Sequence, residues 1–202
     1  MGRMKRAAFT LIELLVVVAI VGLLAGILVP SLSKARGQTR RIVCAAHLRQ
    51  VGVAMMSYLQ ESRDRMPYIS YMPSVDPAPL TTEEPIYLAD VLEKHFKGQT
   101  DVLQCPDDKP GATDRAAPNT GLSFFQSERS SYEYRVHLAG LKSTEIGRNG
   151  GRPWPPPGGQ DDSVSPNTVW FARDYDNFHG KAGQTGARRY VYIDGHVSDY
   201  EN

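Results

Sequence analysis

The segment RDYDNFHG, near the C-terminus of this 202-residue chain, concentrates side chains that bind cations. Asp174 and Asp176 are two residues apart, and His179 follows them. Two carboxylates at this spacing, together with loop carbonyl oxygens, supply the oxygen ligands that calcium prefers. In the alternative, both aspartates organise a turn by hydrogen bonds to the backbone, and His179 is structural. A calcium site at Asp174 and Asp176 is one prediction, and a turn without a ligand is the other.

Cys44 and Cys105 are the two cysteines of the chain, too few for a disulfide framework. Outside the cytoplasm they would form one disulfide, closing a loop of about 60 residues. Otherwise they remain free, buried thiols. The sequence contains no Cys-x-x-Cys pair, which leaves a cysteine zinc site with little support.

The charge balance and the motifs exclude several classes of function. The sequence has 23 basic and 22 acidic residues, so its overall charge does not indicate a nucleic-acid partner. It contains no P-loop, dinucleotide fingerprint, nucleophile elbow or His-Glu-x-x-His motif. We therefore predict that the protein is not an enzyme.

A single carboxylate interrupts an apolar run near the N-terminus. Between Phe9 and Val29 the only charged residue is Glu13, and this run is about 31 Å long as a helix, which matches the hydrocarbon core of a bilayer. An ionised carboxylate within hydrocarbon costs several kcal/mol unless it is paired. Glu13 therefore either contacts a positive partner or lies at the interfacial edge, where its carboxylate reaches the headgroups.

The helical pattern of apolar residues continues beyond Pro30. Apolar positions such as Ile42, Val43 and Val53 keep a helical spacing, and no further proline occurs before Pro67. The pattern predicts one long helix from about Thr10 to Ser62, bent near Pro30.

The stretch KRAAFTLIELLVVVAIVGLLAGILVP resembles the N-terminus of type IV pilins and type II secretion pseudopilins. The resemblance implies that prepilin peptidase cuts a short basic leader between Ala8 and Phe9 and that the new amino group is N-methylated. The family usually has Gly where this chain has Ala8. Glu13 and Pro30 stand where the family has its assembly glutamate and its helix-bending proline. The resemblance implies that Glu13 pairs with the amino group of Phe9 on a neighbouring subunit.

A second resemblance covers three later segments, CAAHLRQVGVAMMSYLQE, VLQCPDD and YVYIDGHVSDY. They are similar to a bacterial subfamily of prepilin-type proteins, named for a histidine followed by nine residues and Asp-Gly. His179 and Asp194-Gly195 are the counterparts here, although fourteen residues separate them.

The rest of the chain predicts a small α+β domain. Apolar spacing indicates a helix over 86–96, and alternation indicates strands in SSYEYRVHLAG, TVWFARD and RRYVYIDGHVSDY. Asp194-Gly195 suits a two-residue hairpin turn. The segment 147–166, rich in Pro and Gly, predicts an exposed loop. The predicted fold class is α+β and pilin-like, with a long N-terminal helix, transmembrane in its first half, packed against a small C-terminal antiparallel sheet.

These observations predict four parts: a leader at 1–8, a transmembrane and assembly helix at 9–30, the exposed half of the helix at 31–62, and a globular domain at 63–202.

The first hypothesis for the function is a pilin-like subunit of a type IV pilus or type II secretion pseudopilus. It would lie in the inner membrane with its globular domain on the periplasmic side. Prepilin peptidase and other pilin or pseudopilin subunits would be its partners. The second hypothesis is a membrane-anchored periplasmic binding module, for glycan or calcium, that does not polymerise. Calcium apart, no cofactor is predicted.

Overall fold

The computed structural model describes residues 11–70, 85–110, 121–144, 146, 169–181 and 184–199. The predicted leader, the cleavage site at Ala8 and Phe9, and the predicted loop at 147–166 lie outside the described residues.

The long N-terminal helix is confirmed. Helix α1 runs from Leu11 to Glu61 and continues through Pro30, so the bend proposed there stays a prediction. The apolar side chains between Leu11 and Val29 are exposed. Among the described residues, α1 is the one helix whose length and composition allow it to cross a membrane.

The chain divides into two compact units, Met1–Thr39 and Arg40–Asn202. The boundary between the units lies inside α1, at Thr39. The division of the chain at residues 30 and 62 stays a prediction.

In the second unit, one face of α1 enters the core. Its buried residues recur every three or four positions, as expected for one face of a helix; they include Cys44, Leu48, Val51, Met55 and Leu59. The end of the helix is held by Asp64, whose backbone N–H donates to Leu59 O at 2.8 Å. The Asp64 carboxylate accepts hydrogen bonds from Ser143 and Thr144, which fixes the reversal of the chain after α1.

A four-stranded antiparallel sheet, in the order β1-β2-β3-β4, forms the other part of the fold. Its strands are β1 (Tyr132–Tyr134), β2 (Trp170–Asp174), β3 (Arg189–Tyr192) and β4 (Val197–Asp199). Two short helices, α2 (Leu88–Leu92) and α3 (Phe124–Glu128), and 3₁₀ turns at Glu93–His95, Thr100–Leu103 and Val136–Leu138 complete the described elements. The predicted α+β class is confirmed.

Two predicted elements are shorter than expected. The helix predicted over 86–96 keeps α geometry only within α2 and becomes a 3₁₀ turn at Glu93–His95, before Lys97 and Gly98 take positive φ angles. The strand predicted in SSYEYRVHLAG ends at Tyr134, and Val136–Leu138 form a 3₁₀ turn. The alternation there reflects burial of Leu138 rather than extended backbone.

The predicted two-residue turn at Asp194-Gly195 is also wrong by one residue. Tyr192 N–H donates to His196 O at 3.0 Å, and Gly195 N–H donates to Tyr192 O at 2.8 Å, so the loop contains Ile193 as well. Gly195 has φ +85°. A type I turn followed by a glycine in the left-handed region is the usual three-residue hairpin.

Helix α1 and this hairpin approach each other closely at Gly52. A Cβ atom at Gly52 would lie 3.1 Å from Val191 Cγ2 and 3.4 Å from the carbonyl oxygen of Gly195. Backbone atoms cannot move aside as a flexible side chain can. Gly52 therefore sets the separation between the helix and the hairpin.

We expect Gly52→Leu to lower the free energy of unfolding by roughly 1–3 kcal/mol, because the side chain must displace packed backbone. Val53→Leu is the matched control, since Val53 is 65% exposed on the same helix, and it should stay within about 0.5 kcal/mol of the parent. Urea unfolding of the full chain in micelles, followed by tryptophan fluorescence, measures both. Equal stabilities for the two variants would contradict the close approach.

Candidate functional site

Four side chains with metal-binding chemistry lie together in the interior of the second unit. They are Cys44, Cys105, Asp174 and His179, and their ligand atoms lie within 4.8 Å of one another. The first three are completely buried, and His179 is 4% exposed. Among the described residues, this cluster has the side chains and the spacing that could hold a metal ion.

Each member of the cluster comes from a different segment. Cys44 belongs to the buried face of α1, and Cys105 follows the 3₁₀ turn Thr100–Leu103. Asp174 is the last residue of β2, and His179 lies in the turn that follows that strand. The pairing of β1 with β2 sets Asp174 opposite Tyr132, whose hydroxyl lies 3.5 Å from Cys44 Sγ.

The four groups contact one another directly. Cys44 Sγ lies 3.4 Å from Asp174 Oδ1, and Cys105 Sγ lies 3.6 Å from His179 Nε2. His179 Nε2 also lies 3.6 Å from Asp174 Oδ2. Both cysteines are free thiols in the structure, and a Cys44–Cys105 disulfide stays a prediction.

Burial and mutual contact shift the ionisation of these groups. Complete burial raises the pKa of Asp174 to about 7. The hydrogen bond with Cys44 lowers the pKa of Cys105 against the opposing effect of burial, and the same bond raises the pKa of Cys44. Burial opposes protonation of His179, but its contacts with Cys105 and Asp174 outweigh burial and raise its pKa. One proton-sharing network therefore includes all four side chains.

A second layer of polar groups orients the cluster. His179 Nδ1 lies 3.2 Å from Asp107 Oδ2, and Asp107 forms an ion pair with Arg40. Arg41 donates to the backbone oxygen of His179. The backbone N–H of Arg189 donates to Asp174 Oδ2 at 2.8 Å.

The segment Cys-Pro-Asp-Asp at 105–108 holds the cluster to α3. Asp108 accepts hydrogen bonds from the backbone N–H groups of Phe124 and Phe125, at 3.1 and 2.8 Å. Asp108 also accepts a hydrogen bond from the Ser131 hydroxyl at 2.6 Å. The Ser131 hydroxyl oxygen in turn accepts from the backbone N–H of Cys105 at 2.9 Å. One buried carboxylate thereby fixes the first turn of α3 and the backbone at Cys105.

The other candidate residues from the sequence lie in turns. Asp176 Oδ1 accepts from the backbone N–H of Asn177 at 2.6 Å and lies 3.7 Å from Arg188. Asp194 Oδ1 lies 2.6 Å from His196 Nδ1 in the exposed β3–β4 turn. The calcium site at Asp174 and Asp176 stays a prediction.

In the sequence the two cysteines and the RDYDNFHG segment are separate features, and their meeting in one cluster was not predicted. No local spacing could have done so, since Cys44 and Asp174 are 130 positions apart. One signal was present: the motifs that carry the second resemblance include Cys44, Cys105 and His179.

Comparison with known proteins concerns the N-terminal part of the chain. Residues 3–29 match the family described as "Prokaryotic N-terminal methylation motif". With the long apolar helix α1, this match supports a type IV pilin-like protein and fits a membrane-anchored chain. The motif indicates a structural subunit rather than an enzyme. No curated protein and no solved structure matches the chain.

We expect Asp108→Ala to lower the free energy of unfolding by about 2 kcal/mol or more, because two backbone donors and the Ser131 hydroxyl lose their acceptor inside the protein. The matched control is Asp101→Ala, an exposed aspartate of the nearby 3₁₀ turn, which should cost less than about 0.5 kcal/mol. Urea unfolding of the two variants measures the difference. If Asp108→Ala lowers the free energy of unfolding no more than the control does, Asp108 does not have the anchoring role described above.

Proposed function

We propose that this chain is a pilin-like subunit that prepilin peptidase cuts between Ala8 and Phe9 and that assembles into a type IV pilus or type II secretion pseudopilus. The observation that carries the proposal is the methylation motif at residues 3–29, which includes the exposed apolar part of α1 from Leu11 to Val29. The work of the protein would be mechanical, with α1 packing against the same helix of neighbouring subunits.

Glu13 supplies the physical reason for a defined assembly. It lies in the first turn of α1, among exposed apolar side chains that suit lipid. In hydrocarbon, a carboxylate is stable when a positive group lies beside it. Cleavage before Phe9 creates an amino group one turn away along the chain, and the same group on a neighbouring subunit would select one axial stagger between helices.

The proposed location follows from the same helix. Residues 9–30 would span the inner membrane once, with residues 40–202 on the periplasmic side. The basic residues just after the apolar run, including Arg40 and Arg41, are engaged in contacts of the second unit, with Asp107 and with the backbone of His179. They therefore have a structural role as well as any contact with lipid headgroups.

We expect the chain recovered from native membranes to begin with N-methylated Phe9. Intact mass and N-terminal sequencing establish this directly. Because the family usually has Gly before the cut, Ala8→Gly should raise the processed fraction, whereas Ala7→Gly, one residue farther from the bond, should leave it unchanged. A chain that still begins at Met1 or Gly2 would overturn the filament proposal and favour the membrane-anchored binding module.

We expect Glu13→Gln to be processed and inserted normally but to lose assembly. A loss of about 1.4 kcal/mol per contact already lowers association tenfold, so filaments sheared from cells and pelleted should fall at least about tenfold. Glu61→Gln is the control, since Glu61 lies at the other end of α1 and pairs with Lys94. If Glu13→Gln assembles like the parent, Glu13 lies at the interfacial edge and does not set the stagger.

A further inference from the structure

We propose that Cys44, Cys105, Asp174 and His179 form a structural zinc site in the second unit of the chain. The site would hold one Zn²⁺ ion through two thiolates, one imidazole nitrogen and one carboxylate oxygen. This inference is independent of the filament proposal, because it rests on residues 40–202 alone.

The distances between donor atoms suit tetrahedral zinc. With Zn–S near 2.3 Å and Zn–N or Zn–O near 2.0–2.2 Å, neighbouring ligand atoms in a tetrahedron lie roughly 3.3–3.8 Å apart. Cys44 Sγ lies 3.4 Å from Asp174 Oδ1, and Cys105 Sγ lies 3.6 Å from His179 Nε2, so both separations fit edges of a tetrahedron in which Oδ1 is the carboxylate ligand. The other carboxylate oxygen, Asp174 Oδ2, lies 3.6 Å from His179 Nε2. All the ligand atoms lie within 4.8 Å of one another, so modest side-chain rotations complete the tetrahedron.

The donor set selects the class of metal. Calcium and magnesium take oxygen ligands, whereas thiolate and imidazole together suit zinc. Two of the four donor atoms are sulfur and one is nitrogen, so the cluster that includes Asp174 favours a thiophilic ion over calcium. Zinc in turn gives the completely buried Asp174 carboxylate a positive partner, which such a group needs in an interior.

The second layer of the cluster matches that of protein zinc sites. A ligating histidine usually donates its other ring N–H to a carboxylate, which fixes the tautomer and the ring orientation. His179 has this arrangement, with Nδ1 against Asp107 and Nε2 toward the cluster. The Asp174 carboxylate is likewise held by the backbone N–H of Arg189.

The charges of the proposed site can be counted from its ligands. On binding, each cysteine releases its thiol proton to solvent, and the imidazole binds as the neutral base. Two thiolates and one carboxylate against a dication leave one excess negative charge. The charge of Arg40 is already balanced by Asp107, and Arg41, which donates to the backbone oxygen of His179, is a nearby cation whose charge opposes that excess.

Four protein ligands indicate a structural role. Catalytic zinc sites keep one position for water or substrate, whereas sites closed by four side chains stabilise the fold. The ion would join α1, the Cys-Pro-Asp-Asp segment, the end of β2 and the turn after β2. It would act as a cross-link in a domain of modest size.

The first experiment uses the full chain in detergent micelles, reduced with a phosphine, freed of metal by a chelator and then given ZnCl₂ or CoCl₂. We expect one equivalent of metal per chain to survive desalting, and the Tm to rise by about 5 °C or more with zinc. Bound Co²⁺ should show thiolate-to-cobalt charge transfer and the visible bands of tetrahedral cobalt. A folded protein that retains no metal, or cobalt without the thiolate band, would overturn the proposal.

Variants separate the ligands from their surroundings. Cys44→Ser with Cys105→Ser should abolish the cobalt charge-transfer band, and His179→Gln should weaken zinc binding. His196→Gln is the matched control, because His196 also pairs with an aspartate but lies exposed in the β3–β4 turn. It should retain one equivalent of zinc. Loss of zinc in the His196 variant equal to that in the His179 variant would contradict the assignment.

Asp107→Ala tests the second layer. We expect zinc affinity, measured by competition with a chelator, to fall about 10–100-fold while the cobalt charge-transfer band persists. An unchanged affinity would show that Asp107 does not act as a positioning residue for the site.

A Cys44–Cys105 disulfide in protein isolated from membranes would overturn the zinc site itself, since oxidised sulfur atoms do not bind zinc as thiolates.

Discussion

The packing of α1 against the β3–β4 hairpin is the contact on which the second unit depends. Gly52 lets the helix reach the backbone of Gly195 and the side chain of Val191. The buried face of the helix then continues to Cys44 in one direction and to Leu59 in the other. With the helix at this distance, Cys44 lies beside the end of β2, where Asp174 and Tyr132 meet it. A bulkier residue at position 52 would separate these elements and disperse the cluster.

Residues of the Cys-Pro-Asp-Asp segment make contacts that fix both His179 and α3. Cys105 faces His179, Asp107 holds the other side of the same imidazole, and Asp108 anchors α3. Ser131 links the two ends of the arrangement, because its hydroxyl binds both Asp108 and the backbone of Cys105. The local backbone is consequently fixed by hydrogen bonds in the interior rather than by regular secondary structure. Such a segment gives no periodic signal in a sequence.

The long helix could be predicted from the sequence because its pattern is local: an apolar run is followed by residues at helical spacing, and they lead to the end of α1 at Glu61. The sheet was predictable in kind, since alternating residues mark β2 and β3, but the turn also contains Ile193. A two-residue type I′ turn needs positive φ at both central residues, whereas the three-residue loop needs it only at Gly195, and Asp194 does not have a positive φ. The cluster itself was not predictable from spacing. Its members meet only through the pairing of β1 with β2 and the docking of α1, and both are long-range contacts.

The same long-range character has a consequence for the order of folding. Loop closure costs entropy, and contacts between distant positions are slow to form. Cys44 is synthesised early and forms helix locally, yet its partner Asp174 appears 130 residues later. The interior around Cys44 must therefore wait for almost the whole chain to emerge. Until then the thiol lacks its contact with Asp174, and the docking of the C-terminal strands is the last step that shields it from oxidants.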